Sequence, residues 1–150
     1  MSDLRELYQT TILDHNKQPR NFRVPAGANR EAAGHNPLCG DRVTVHVRLD
    51  DGVVADIGFQ GNGCAISTAS ASLMTQAVKG RSAEDVQKLF DSFHELVTSD
   101  PTRPVDEAAV GKLAVLAGVR EFPTRVKCAS LAWHTLKAAV AGDDGTVSTE

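Results

Sequence analysis

The chain has few cysteines, and their pattern does not fit the common cysteine frameworks. There are three in 150 residues, an odd number that argues against a set of paired disulfides. No two of them form the Cys-x-x-Cys pair that zinc fingers and ribbons carry. Charge of one sign is equally scarce: 16 Lys and Arg stand against 19 Asp and Glu, a net charge of −3. That balance supports neither a nucleic-acid surface nor an anionic-membrane surface. No apolar run has the length of a membrane-spanning helix, and Met1-Ser2-Asp3-Leu4-Arg5-Glu6 lacks a secretory signal pattern. The expected setting is therefore the cytoplasm, where thiols stay reduced and act as ligands, nucleophiles or core fillers. Internal repeats and low-complexity blocks are also missing. What is present is an ordinary globular composition, 41% hydrophobic and 23% charged, long enough for one domain spanning 1–150 with its own core. Its polar tail, about 143–150, is expected to fray.

Taken in order, Leu4, Leu7, Tyr8, Thr11 and Ile12 recur at helical spacing behind a possible Ser2 cap, and Pro19 stops the pattern after Lys17. Residues 20–34 form an irregular connector in which Arg30 to Ala33 is expected as a short edge strand. Val43, Val45, Val47 and Leu49 then alternate with Arg42, Thr44, His46 and Arg48, giving a half-buried strand. Asp50-Asp51-Gly52 predicts a hairpin turn, and Val53 to Gln60 the returning strand. A helix rich in small residues is expected from Cys64 to the Lys79-Gly80 stop. A second should start behind Ser82, with Asp85 in a capping-box position, and run through Val86, Leu89, Phe90 and Phe93. Asp106 to Ala117 predicts another helix closed by Gly118, and Val126 to Ala141 the last.

Antiparallel register makes the chemistry converge. It brings the start of the first hairpin strand beside the end of the second, so Cys39 and Asp41 come near Gly61 and Cys64. Gly61-Asn62-Gly63 is a hinge that sets Cys64 at a helix start, where unpaired N–H groups suit an anionic side chain. Cys128 is expected in the first turn of the final helix. Cys39, Asp41, Cys64 and Cys128 are three soft ligands and one hard one. Four such groups can close a tetrahedral zinc site or hold an iron–sulfur cluster. Arg125 and Lys127 flank Cys128 and could offset the negative charge of the site, although solvated surface is the plainer assignment. The five histidines read as structural or surface residues, so a Cys–His hydrolase fits poorly; His35 alone is close in sequence to Cys39.

Several stretches together carry a specific likeness: Leu7-Tyr8 with Ile12-Leu13-Asp14-His15, Pro19-Arg20-Asn21, Asn36-Pro37-Leu38-Cys39-Gly40-Asp41, Phe59 to Ser67 with Ala69 to Met74, and Arg125-Val126-Lys127-Cys128-Ala129. The sequence resembles the U-type iron–sulfur assembly proteins (the IscU/NifU N-terminal-like superfamily) over nearly its whole length. It is nearer the SufU branch than the IscU scaffold branch. Lys127 stands where the scaffold branch has a histidine, and the segment between Gly80 and Cys128 is longer, as in SufU-like proteins. The resemblance implies an α+β fold, a small antiparallel three-stranded sheet covered by helices. It implies a zinc site of Cys39, Asp41, Cys64 and Cys128, with Cys39 accepting sulfur as a zinc-dependent sulfurtransferase. The implied partners are a SufS-type cysteine desulfurase, which keeps its own pyridoxal phosphate, and a downstream Suf cluster scaffold; neither a nucleic acid nor a membrane is expected. Arg125 is the candidate for partner docking. Two other functions are weighed: a scaffold that carries a transient iron–sulfur cluster on the same residues, and a structural zinc-binding interaction module.

Overall fold

The computed structural model describes residues 2–37, 40–105, 107–142 and 146–148. Helix α1 covers Ser2–Lys17, and strands β1 (Arg30–Asn36), β2 (Asp41–Asp50) and β3 (Val53–Asn62) follow. Helices α2 (Ala65–Val78) and α3 (Ala83–Thr98) precede a one-turn helix α4 (Glu107–Val110), a 3₁₀ segment (Gly111–Glu121) and the long helix α5 (Pro123–Val140). Strand β4 (Thr146–Ser148) comes last.

The expected α+β architecture is present: β1, β2 and β3 form an antiparallel sheet with helices packed on it. Asp51 at φ 50° and Gly52 at φ 77° form the tight β2–β3 turn that the Asp-Gly pair predicts. The alternation of β2 buries Val43, Val45 and Val47 against the helices. Ser82 caps α3 by accepting the Asp85 N–H at 3.1 Å.

The three-strand antiparallel core is as expected, and four details around it differ. The sheet has a fourth member: β4 runs parallel to β1 and pairs Ala33, Gly34 and His35 with Thr146, Val147 and Ser148. Residues 146–148 of the polar tail are thus held in a ladder rather than frayed, and a three-residue strand is too short to leave a period in sequence. For the same reason β1 is not an edge strand; the order is β3-β2-β1-β4, and β1 extends to Asn36. The helix expected over 106–117 ends as an α-helix at Val110 because Gly111 adopts φ 58°, and the chain continues as 3₁₀ past Gly118 to Glu121; Asp106 itself lies outside the described residues. Finally, α5 begins at Pro123, where a proline fits the first helical position, so Cys128 sits in the second turn rather than the first.

The small residues of α2 let it sit between α1, α5 and the sheet. The buried hydroxyls of Ser70, Ser72 and Thr75 are hydrogen-bonded. Ser70 donates to the Ala129 carbonyl at 2.6 Å, fixing the turn of α5 that carries Cys128. Ser72 accepts the Arg20 N–H at 2.8 Å and lies 2.7 Å from His15 Nδ1. Asn21 donates to Thr75 at 3.0 Å. This is how the Asp14-His15 and Arg20-Asn21 stretches act: they pin α1 and its exit to α2.

Candidate metal centre

Three elements deliver the candidate ligands to one end of the hairpin. Asp41 opens β2, paired with Asn36 at the end of β1. Cys64 is the N-cap of α2, two residues beyond the end of β3. Cys128 comes from α5. Among the described residues, one ligand atom each from Asp41, Cys64 and Cys128 lies within 4.8 Å of the others. The hairpin register thus has the consequence expected of it for Asp41 and Cys64. Cys39 lies outside the described residues, as does Leu38. The loop joining β1 to β2 is closed on its described side by the Gly40 N–H, which donates to the Asn36 carbonyl at 2.8 Å.

Asp41 is 1% exposed. Its Oδ1 accepts the Cys64 backbone N–H at 2.9 Å, and Oδ2 lies 3.8 Å from Cys64 Sγ. The Ser67 N–H donates to Cys64 Sγ at 3.4 Å, which completes the cap with sulfur in place of the usual oxygen. Among the described residues no cation pairs with Asp41. A carboxylate this deeply buried is ordinarily paired or bound to a metal. Two sulfurs and a carboxylate oxygen, all inside 4.8 Å, are a donor set that suits zinc. The residues therefore fit the metal.

Gly63 is required by this carboxylate. A Cβ at Gly63 would stand 2.8 Å from Asp41 Oδ1 and 3.2 Å from Ser67 Cβ. Gly34 has the equivalent role one layer away, where a Cβ would collide with Thr135 Oγ1 and press on Leu131. Without it, α5 lies close on β1, and the residues of α5 that meet the strand, Cys128, Leu131 and Thr135, share one helical face.

The remaining sequence candidates fall elsewhere. Arg125 is exposed in the first turn of α5 and Lys127 is half-buried; among the described residues neither forms an ion pair. His35 pairs with Arg42 across the strands, on the face opposite Asn36 and Asp41, and does not join the cluster. His46 is buried on that outer face, 3.2 Å from Glu31. His134 lies between α3 and α5 with its ring edge-on to Phe90; burial first, then His94 and Lys137, hold its pKa below the usual histidine value.

Sequence reasoning missed Asn36. An Asn-Pro pair suggests a turn, but Asn36 is fully buried at the end of β1, with Nδ2 3.9 Å from Cys128 Sγ. The signal was available: Ala32, Gly34 and Asn36 alternate on the inward face, which sets Asn36 opposite Asp41.

Known proteins share this sequence and fold. The sequence pattern of the NifU-like N terminal domain matches residues 7–129. The chain is 41% identical over 140 residues to the iron–sulfur cluster assembly scaffold protein IscU of Streptococcus pyogenes serotype M1, covering 93% of this chain and 86% of that protein. It is 39% identical over 144 residues to the zinc-dependent sulfurtransferase SufU of Bacillus subtilis, covering 96% of each. Among solved structures, a NifU-like protein (N-terminal) from Brucella abortus superposes with a TM-score of 0.79 at 24% identity, covering 91% of this chain and 93% of that one, which supports the fold alone. With the family pattern matched over residues 7–129 and the same sheet-and-helix frame, the chain belongs to the NifU-like N terminal domain family.

Proposed function

We propose that this protein is a zinc-dependent sulfur acceptor in iron–sulfur cluster assembly, taking sulfane sulfur from a SufS-type cysteine desulfurase and passing it to a downstream scaffold. The observation that carries this reading is the convergence of Asp41, Cys64 and Cys128 within 4.8 Å, with Cys39 two residues before Asp41 in sequence. Cys39, Asp41, Cys64 and Cys128 would hold the ion. When bound, zinc supplies a positive centre that keeps its sulfur ligands ionised. Cys39 is the residue assigned to accept sulfur, because Cys64 and Cys128 are built into α2 and α5. Its thiolate attacks the outer sulfur of the desulfurase persulfide. A new S–S bond forms on Cys39, the donor's S–S bond breaks, and the donor cysteine departs as a thiolate. The outer sulfur changes owner with no external oxidant or reductant. Asp41 is held by the Cys64 N–H at 2.9 Å, which keeps a carboxylate in the site as Cys39 reacts.

The test is persulfide labelling with a SufS-type desulfurase and free cysteine, under anaerobic conditions. The wild-type chain should carry about one zinc, as a single closed site requires, and gain a persulfide on Cys39. Cys39→Ala should accept none while keeping its fold; full acceptance by that variant would overturn the assignment. The scaffold reading has its own support in the likeness to the Streptococcus protein. Lys127, in place of a histidine ligand, weighs against it. A stable, transferable cluster that displaces zinc on anaerobic reconstitution would put the scaffold first.

A further inference from the structure

We propose that Asn36 is a positioning residue of the metal centre, holding the Cys128 sulfur through its side-chain amide. The inference rests on reading the site as a metal centre. Asn36 has no exposure to solvent. Its Nδ2 faces Cys128 Sγ at 3.9 Å, and its carbonyl accepts the Gly40 N–H at 2.8 Å. One residue therefore touches the helix that supplies Cys128 and, through Gly40 and its pairing with Asp41, the start of β2. Gly34, two residues earlier on the same face, lets α5 approach closely enough for this contact.

The chemistry favours an amide here. An N–H donor aimed at sulfur strengthens as charge gathers on that sulfur, which is the condition of a ligating thiolate. It adds no charge to a buried site that already holds two sulfurs and a carboxylate. Arg125, which is exposed, and Lys127, which is half-buried, carry the cations nearest to Cys128 in sequence, and neither makes an ion pair among the described residues. An aspartate at position 36 would instead set a second carboxylate against the ligands. A leucine would fill the space and leave the sulfur without this donor.

The experiment compares wild type, Asn36→Leu and Asn36→Asp by chelator-competition titration with zinc and by the thiolate-to-metal charge-transfer band of the cobalt(II) form. Both variants should bind zinc about 10–100-fold more weakly. In Asn36→Leu the band should move to longer wavelength, because a sulfur that has lost an N–H donor gives up charge more easily. Wild-type affinity with an unmoved band overturns the proposal. So does weaker binding with an unmoved band, which reports a packing defect only. A wild-type chain that binds no zinc overturns the metal-centre reading itself, and this proposal with it. Should Asn36→Leu not fold, cadmium-113 NMR of the wild-type chain decides. Scalar coupling from the Asn36 amide protons to cadmium, through sulfur, supports the role. Its absence overturns it, with the Ser67 N–H, 3.4 Å from Cys64 Sγ, as internal reference.

Discussion

The two ends of the molecule are held together by different physics. At the hairpin end, Asn36, Asp41, Gly63, Cys64 and Ser67 meet through directed contacts, and several are small or polar groups with no freedom to be replaced. At the other end, α3, the 3₁₀ segment and α5 enclose Phe93, Leu113, Leu116, Trp133 and Leu136, all buried to 1% exposure or less. There the Phe93 and Trp133 rings stack at 4.5 Å, and a cavity of about 150 Å³ opens between α3 and α5 beside Phe90 and Leu136. The hairpin end is specified by geometry and the far end by volume. A substitution at the first should cost function with little loss of stability, and one at the second should do the reverse.

The largest effect should come from the volume end. Trp133→Ala removes a fully buried ring beside an existing cavity and should cost about 3–5 kcal/mol in urea unfolding. The fraction that stays folded should keep its zinc affinity. An equal loss of affinity in that fraction would break the distinction between the ends. Gly63→Ala is the counterpart. The carboxylate of Asp41 is the far end of a short side chain, so it can shift at small cost to stability, under about 1 kcal/mol. Zinc affinity should nevertheless fall about tenfold or more, as displaced site geometry does elsewhere. Unchanged affinity in a chelator titration would mean that the site tolerates movement of Asp41.

The smallest effect concerns pH and the α1–α2 seam. Burial first, with Arg20 adding to it, holds the His15 pKa below its ordinary value. The unfolded chain then binds the proton more readily than the folded one. His15 therefore contributes a stability that is complete above about pH 6.5, the ordinary histidine value, and is lost as the pH falls through the lowered folded value. Urea midpoints of wild type and His15→Gln between pH 7.5 and 5.5 should show a shallower decline for the variant. Parallel curves would remove His15 as a source of acid sensitivity. Asp14, Asp56 and Asp100, whose pKa values are also lowered, act below this window.

How far the sequence reveals the fold divides along the same line. The β2–β3 hairpin, the Cys64 and Ser82 caps and the approach of Asp41 to Cys64 are legible because alternation, Asp-Gly turn chemistry and antiparallel register are local rules. The start of α5 was misplaced because Phe122-Pro123 looks like a leader until proline is recognised as a first helical residue. The 3₁₀ path from Gly111 to Glu121 depends on one glycine's backbone angle, and β4 on pairing across the whole chain. Asn36 was hidden by its neighbour: next to Pro37 it looks like a turn, and only its partner Asp41 shows that it ends a strand.

The spacing of the ligands along the chain gives the centre a place in time. Asp41 and Cys64 are brought together by a hairpin, a local event that needs nothing beyond its own turn. Cys128 arrives only when α5 has docked on β1 and α2, which unites distant parts of the chain and belongs to the slower stage of folding. The hairpin without α5 offers only Asp41 and Cys64 of the three gathered groups. If the proposed metal is held by all three groups, its retention would report that α5 has docked.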